Sequence, residues 1–416
     1  MHTFTFVFLA ALTLATSAKL WLALRQIRHV AAQRGLVPAE FSGQVSLASH
    51  QKAADYNRAK TRLEIVHIML DAGVLLAFTL GGGLQALDDR LGALLAPGLW
   101  RGTALILGVV LIASLLEIPL NVYRTFVIEA RFGFNKATPA LFVADLLKQT
   151  LLALLFGVPL LLSVLWLMAE AGPDWWLYVW LTWMTFNLLV LALYPSFIAP
   201  LFNKFTPLGN AALKSRIEQF LQKCGFRAEG LFVMDGSKRS GHGNAYFTGF
   251  GKGKRIVFFD TLLAQLDDNE IEAVLAHELG HFKRHHVYKR LAWMFVVSLL
   301  FLRLLAWLMD KSWFYQGLNV TSQGTAMALI LFFLVIPVFG FLLQPLASLY
   351  SRKHEFEADR YAAQQSSARH LIQALVKLYR DNASTLTPDP LHSAVYDSHP
   401  PAAQRIAQLR DAMHNG

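Results

Sequence analysis

Hydrophobic residues in this chain come mostly in long unbroken runs, not in one-faced helical stripes or alternating strands. About seven of these runs are long enough to cross the roughly 30 Å apolar core of a bilayer as a helix. They lie near Phe4–Leu24, Ile65–Leu87, Leu99–Val122, Leu146–Ala169, Trp175–Leu201, Leu291–Met309 and Ala326–Leu349. Between the fifth and sixth runs the pattern changes. Ala211–Cys224 has the one-sided apolar spacing of an amphipathic helix. Three strand-like runs follow, Gly230–Met234, Ala245–Phe250 and Arg255–Asp260. Glycine-bearing turns separate them at Asp235-Gly236, Gly241–Gly243 and Gly251–Gly253. Asp267-Asp268-Asn269-Glu270 then supplies an N-cap and an acidic first turn for a helix whose apolar positions are Ile271, Val274, Leu275 and Leu279.

Composition agrees with the runs. The 416 residues are 55% hydrophobic and 16% charged, against about 25% charged in an ordinary soluble domain. The mean hydropathy is +0.39. The fold class expected is therefore mainly α and polytopic, with seven transmembrane helices and a cytoplasmic α+β domain. Residues 1–202 form a membrane region of five spans. Residues 203–416 form a second unit, interrupted by spans at about 291–309 and 326–349.

The net charge is +10. In a chain this apolar it reads as basic loops that set membrane topology, and no nucleic-acid partner is expected. Arg25, Arg28, Arg34, Lys52, Arg58, Lys60 and Arg62 follow the first run, and Arg124, Arg131 and Lys136 follow the third. The Glu170–Asp174 turn has neither Lys nor Arg. This asymmetry puts the N-terminus outside and the C-terminus and the polar domain in the cytoplasm, with the inner membrane as the site in a bacterium. The first run lacks a basic leader, so it reads as an uncleaved anchor. Cys224 is the single cysteine. It allows no intrachain disulfide and no thiolate cage, so any metal must be held by histidine and carboxylate.

The chemistry centres on His277-Glu278-Leu279-Gly280-His281. Two histidines four apart share a helix face, a spacing that can grip one zinc ion per chain while Glu278 faces the water that zinc activates. Glu278 would take a proton from that water and return it to the leaving amine. A catalytic zinc needs a third protein ligand. Beyond the seventh run, Glu355 and Asp359 lie four apart in Ser351–Asp359, so one can bind the metal while the other orients a ligand histidine. Glu357 points elsewhere, and His354 is a rival ligand. Asn244 and His399 are candidate donors to the oxyanion of a tetrahedral intermediate. Asp71, Glu117, Asn121 and Arg303 are polar residues inside spans and suit either a chamber lining or interhelical pairing. Pro119, Pro159 and Pro337 sit where they should kink their helices.

These stretches together resemble the integral-membrane zinc metallopeptidases of the Ste24-type CAAX prenyl protease family, in the wider peptidase family M48 that includes HtpX. The resemblance runs through YRTFVIEARFGFNK (Tyr123–Lys136), PSFIAPLFNKFTPL (Pro195–Leu208), GSKRSGHGNAYFTGF (Gly236–Phe250), RIVFFDTLL (Arg255–Leu263), HELGH, SRKHEFEAD (Ser351–Asp359) and SHPPAAQRI (Ser398–Ile406). It implies His277, His281 and Glu355 as zinc ligands and Glu278 as base. Asp359 would stand behind the ligands, Asn244 and His399 would hold the oxyanion, and Arg405 would be a structural charge near the site. It also implies an edge strand, Asn244, Ala245, Tyr246, Phe247, Thr248 and Gly249, that pairs with an extended substrate, and a ring of seven helices around a large chamber closed by the zinc domain. The expected activity is zinc endopeptidase action near the C-terminus of lipidated (CAAX-type) or membrane-associated polypeptides, with a peptide or isoprenylated protein and membrane lipid as partners. Two other readings use the same chain: a broad quality-control protease of the HtpX kind, and a transporter or seven-helix receptor in which HELGH is incidental. The polar domain inserted between the fifth and sixth spans argues against the last.

Overall fold

The computed structural model describes residues 2–249 and 254–414. Phe250 and the Gly251–Gly253 turn lie outside the described residues. Among the described residues, six helical stretches are each long and apolar enough to span a membrane, and a bent pair of helices makes a seventh. The first is α1 (Thr3–Ala32). The bent pair is α2 (Leu47–Phe78), capped by Ser46, and α3 (Gly83–Leu94), which meet at 52°. Hydropathy alone merges the pair into one straight span, because it averages across Gly81-Gly82-Gly83. A Cβ on Gly81 or Gly83 would fall 2.8 or 2.7 Å from the Ala77 carbonyl oxygen, and Gly82 has φ +75°. Only glycine lets the chain fold back this tightly.

α4 (Leu99–Tyr123) continues through a π-helical turn at Arg124–Glu129, and α5 (Pro139–Glu170) starts from a Thr138 cap with proline at its first position. α6 (Trp175–Leu193) ends in a second π-helical turn, Tyr194–Ile198. Pro119, Pro159 and Pro337 all lie inside helices. Of the polar residues inside spans, Asn121 lines a cavity. Glu117 pairs with His67 at 3.1 Å, and the Arg303 guanidinium lies 5.7 Å from the centre of the Trp176 ring.

The polar layer begins with β1 (Phe205–Pro207) and α7 (Ala211–Lys223), capped by Asn210. β2 (Gly230–Met234), β3 (Ala245–Thr248) and β4 (Arg255–Phe259) complete a four-stranded sheet of order β1-β2-β4-β3. β2 runs parallel to β4 and β3 antiparallel to it, with Ala245 opposite Phe258. β1 is too short for a periodic signal, and Pro207 confines it to an edge. The short α8 (Asp260–Gln265) leads to α9 (Asp268–Lys283). His285, in the left-handed region at φ 58°, turns the chain into the membrane helix α10 (His286–Leu308). The chain then passes through α11 (Ser312–Gln316) and α12 (Thr325–Gly340). α13 (Gln344–Gln365) carries it out of the membrane layer to α14 (Ala368–Asp381), α15 (Pro390–Tyr396) and α16 (Ala402–His414).

Two main cores result. In the polar layer Ile217, Phe258, Leu262, Leu371 and Ile406 pack around the Ile271, Leu275 and Leu279 face of α9. In the membrane layer α12 is the most interior helix and packs with Phe8, Leu84, Leu105 and Phe314. Arg239 of the polar layer clamps Asp145 of α5 through two hydrogen bonds of 2.7 and 2.8 Å, and Arg25 of α1 bonds Asp389 at 2.9 Å. Between the layers, beside α2, α4 and α5, lies a cavity of about 1020 Å³.

Candidate active site

The site is built where α9 crosses α13. Asp267 caps α9 by accepting from the amides of Asn269 and Glu270, and Glu270 returns a bond to the Asp267 amide. This reciprocal pair fixes where the helix starts, and so which face His277 and His281 present. Gly280 sets the crossing distance. A Cβ there would lie 2.9 Å from the Ala358 Cα, so the two backbones touch at a point between the two HELGH histidines and the acidic end of α13.

That contact brings three groups together. His277 Nε2 and His281 Nε2 are 3.2 Å apart, His277 Nε2 is 3.4 Å from Glu355 Oε2, and His281 Nε2 is 3.3 Å from Glu355 Oε1. His277 and Glu355 are buried. A tetrahedral ion with ligand bonds of about 2.0–2.1 Å separates its ligand atoms by roughly 3.3 Å, which is the spacing observed. The chemistry of the donors agrees. Glu355 Oε2 is buried with no hydrogen bond of good geometry, and a carboxylate and two imidazole nitrogens turned on one point are the oxygen and nitrogen donor set that a divalent cation takes. The residues therefore fit a divalent metal.

Each ligand has its own support. The His277 Nδ1 proton is donated to Asp359 Oδ1 at 2.8 Å, and Arg405 donates to both Asp359 oxygens at 2.8 and 2.6 Å. Asp359 is 0% exposed. Burial alone would raise its pKa, but Arg405 and His277 bring it down to about 2. Burial and the Arg405 charge oppose protonation of His277, yet its bonds to Asp359 and Glu355 raise its pKa to about 9. Glu355, on the part of α13 beyond the apolar run, is also buried, but the imidazoles of His277, His281 and His399 hold it well below the usual carboxylate range.

His281 rests on different groups. Its Nδ1 lies 3.0 Å from His286 Nδ1, and His286 Nε2 lies 3.0 Å from Glu357 Oε2. His354, the rival ligand, stands outside the triad and stacks on His286 with ring centres 3.9 Å apart. Sequence reasoning missed His286. Its only signal was a further histidine one turn past HELGH, at a helix break.

Glu278 is half-buried on α9, and among the described residues no hydrogen bond or ion pair engages it. His399 is exposed, lines the cavity and places Nδ1 2.7 Å from Glu355 Oε2. His277, His281, Glu355, Asp359, Arg405 and His399 are thus in one cluster. Asn244 is not joined to it by any hydrogen bond among the described residues. It is exposed at the start of β3, with its side chain turned back to the Ala245 amide at 2.8 Å. Ala245 and Phe247 face the α9 core, while Tyr246 and Thr248 face a small hollow beside Pro195 and Pro200. β3 is an edge strand, and its side away from β4 is unpaired among the described residues. Gly249, at φ 88°, follows the last strand residue, Thr248.

Comparison with known proteins gives a consistent result. The family model for the CAAX prenyl protease N-terminal region, five membrane helices, matches residues 26–204, and that for peptidase family M48 matches residues 207–413. A CAAX prenyl protease 1 homolog of Arabidopsis thaliana is 36% identical over 405 residues, covering 94% of this chain and 93% of that protein. CAAX prenyl protease 1 of Saccharomyces cerevisiae is 37% identical over 314 residues, covering 72% of this chain and 69% of that protein. The crystal structure of S. mikatae Ste24p superposes with a TM-score of 0.91 at 30% identity, covering 98% of this chain and 99% of that one.

Proposed function

Because the chain belongs to peptidase family M48 and is a multi-pass membrane metalloendopeptidase of the CAAX prenyl protease kind, we propose that it is zinc-dependent and cuts peptide bonds near the C-terminus of lipidated or membrane-associated polypeptides. The observation that carries this reading is the His277, His281 and Glu355 triad at tetrahedral spacing, with His399 linking it to the cavity under the membrane helices. In this reading residues 1–202 form the membrane half and residues 203–416 the peptidase half. The N-terminus lies outside and the zinc site faces the cytoplasm, as the Lys and Arg distribution supports.

His277, His281 and Glu355 would hold the zinc, which when bound supplies Lewis-acid activation of water and of the scissile carbonyl. Glu278, without a hydrogen-bond partner among the described residues and next to a proposed ligand in sequence, takes the water proton and passes it to the departing amine. His399 donates to the developing oxyanion, and Asn244 at the mouth of the edge strand does the same once substrate is in place. The β3 edge, Asn244 to Gly249, pairs with an extended peptide through backbone bonds, which give affinity with little side-chain selectivity. The cavity takes the membrane-proximal or lipid-bearing part of the substrate.

The test is cleavage of matched isoprenylated and bare C-terminal peptides by the purified full chain in detergent or liposomes, with product masses read out. Faster cutting of the lipidated peptide at one bond near its C-terminus is expected. Equal rates, with many cut sites in unfolded membrane proteins, would favour a broad quality-control role instead.

A further inference from the structure

We infer that His286 and Glu357 are positioning residues for the metal, which set the proton on His281 so that its Nε2 lone pair is offered to the ion. The inference rests on the metal reading of the site and goes beyond its ligand set.

The argument is one of proton direction along a chain of three groups. His281 Nδ1 and His286 Nδ1 are 3.0 Å apart, so one of them must donate to the other. His286 Nε2 and Glu357 Oε2 are also 3.0 Å apart. An ionised carboxylate can only accept, so His286 must carry its proton on Nε2. In the neutral imidazole its Nδ1 is then a lone pair, which can only accept from His281. His281 therefore carries its proton on Nδ1 and is left with a bare Nε2. That nitrogen faces His277 Nε2 and Glu355. The opposite direction would set the His286 Nε2 lone pair against the Glu357 oxygen and put a proton on the nitrogen that faces His277 and Glu355. One carboxylate two groups away thus decides which His281 nitrogen binds.

Packing holds the relay in place. His286 is 2% exposed, and its ring lies almost parallel to His354, with an interplanar angle of 9°. His354 is in turn met edge-on by Tyr350 at 4.3 Å. The relay also differs from the support of His277, where the Asp359 carboxylate receives the proton directly. Its members come from three elements. His281 is on α9, His286 is the first residue of the sixth membrane span, and Glu357 is on α13. The hydrogen bond that orients a metal ligand is therefore made by the end of a membrane helix.

The experiment measures zinc affinity of the full-length chain in detergent by competition with a chromophoric chelator. Cobalt-substituted protein gives a second reading through its d–d absorption bands. His286→Phe keeps a flat ring against His354 and removes both nitrogens. His286→Gln restores one donor and one acceptor. Glu357→Gln removes the carboxylate that sets the direction while leaving His286 in place. A loss of about 10–100-fold in zinc affinity is expected for His286→Phe and Glu357→Gln, with altered cobalt bands and an unchanged KM for peptide. His286→Gln should regain most of the affinity. Affinities within about twofold of the parent in His286→Phe and Glu357→Gln, with the proteins folded by circular dichroism, would overturn the inference. So would an equal loss in His286→Gln, whose donor and acceptor should otherwise restore the relay. If the parent itself binds no zinc, the metal reading fails rather than the relay. If His286→Phe does not fold, Glu357→Gln decides the question alone.

Discussion

Gly280→Ala tests whether the α9–α13 crossing sets the geometry of the metal site. The added methyl carbon would sit 2.9 Å from the Ala358 Cα, 3.1 Å from its carbonyl oxygen and 3.2 Å from the Tyr361 Cβ. Carbon atoms rest at about 3.5 Å or more, so the two helices must part by ~0.6 Å. Two of the three atoms are backbone, so no side-chain rotation relieves the contact. Glu355 lies one turn from Ala358 on the same helix and moves with it, away from His277 and His281. Metal sites tolerate distance errors of about 0.2 Å, and the displacement is some three times that. Overpacking of this kind costs about 1–3 kcal/mol of stability, and a misplacement approaching 1 Å can cost about a hundredfold in rate. Gly280→Ala should therefore lower zinc affinity and reduce kcat by about tenfold to a hundredfold, with KM for peptide little changed. Zinc competition, peptide cleavage and thermal unfolding read the three effects. Gly209→Ala is the control, because nothing lies within 4 Å of its added carbon, and it should stay within about 0.5 kcal/mol of the parent. Parent-like zinc affinity and kcat in Gly280→Ala would refute the reasoning.

Glu278→Gln should retain zinc in metal analysis and lose about 10²–10⁴-fold in kcat, as removal of a general base does. His399→Ala should lower kcat by about 10²–10³-fold with KM for peptide nearly constant, measured on the same substrate. Arg405→Met leaves the fully buried Asp359 without its bidentate partner and should destabilise the fold by about 3–5 kcal/mol, read by thermal unfolding. Metal removal should change the pH response of stability. In chelator-treated protein His277 has its pKa raised from 6.5 to about 9. Its contribution is then fully present below about pH 6.5 and is lost as pH rises through about 9. Zinc-loaded protein, in which His277 is neutral, should show no such loss, and unfolding temperatures at pH 6, 7.5 and 9 distinguish the two.

The membrane helices were legible because lipid accepts apolar side chains on every face, which leaves runs that composition alone reveals. Hydropathy averaging hid the bend at Gly81–Gly83, where the deciding property is backbone freedom. The capped start of α9 was legible because capping is local: Asp267 and Glu270 are three residues apart. Glu355 and Asp359 could be proposed as a helical pair, but periodicity could not say which of them meets the metal. The structure puts Glu355 against both imidazoles and Asp359 behind His277. Arg405 emerged only through resemblance, because nothing local marks an arginine that will be buried against a carboxylate 46 residues away. His286 and Glu357 were missed as a pair for the same reason. They are 71 residues apart in sequence, and only the fold, which sets the first residue of α10 beside α13, joins them.

The order of the proposed ligands along the chain also has a consequence in time. Glu355 lies 74 residues after His281, and two membrane helices, α10 and α12, come between them. At typical synthesis rates that interval takes roughly 4–15 s. During it the histidine pair is already made, while the third ligand has not left the ribosome. The site would therefore stay incomplete until that ligand arrives. The chain's first competent moment waits on insertion of its own last two membrane helices, so a chain stalled in the membrane would be inert.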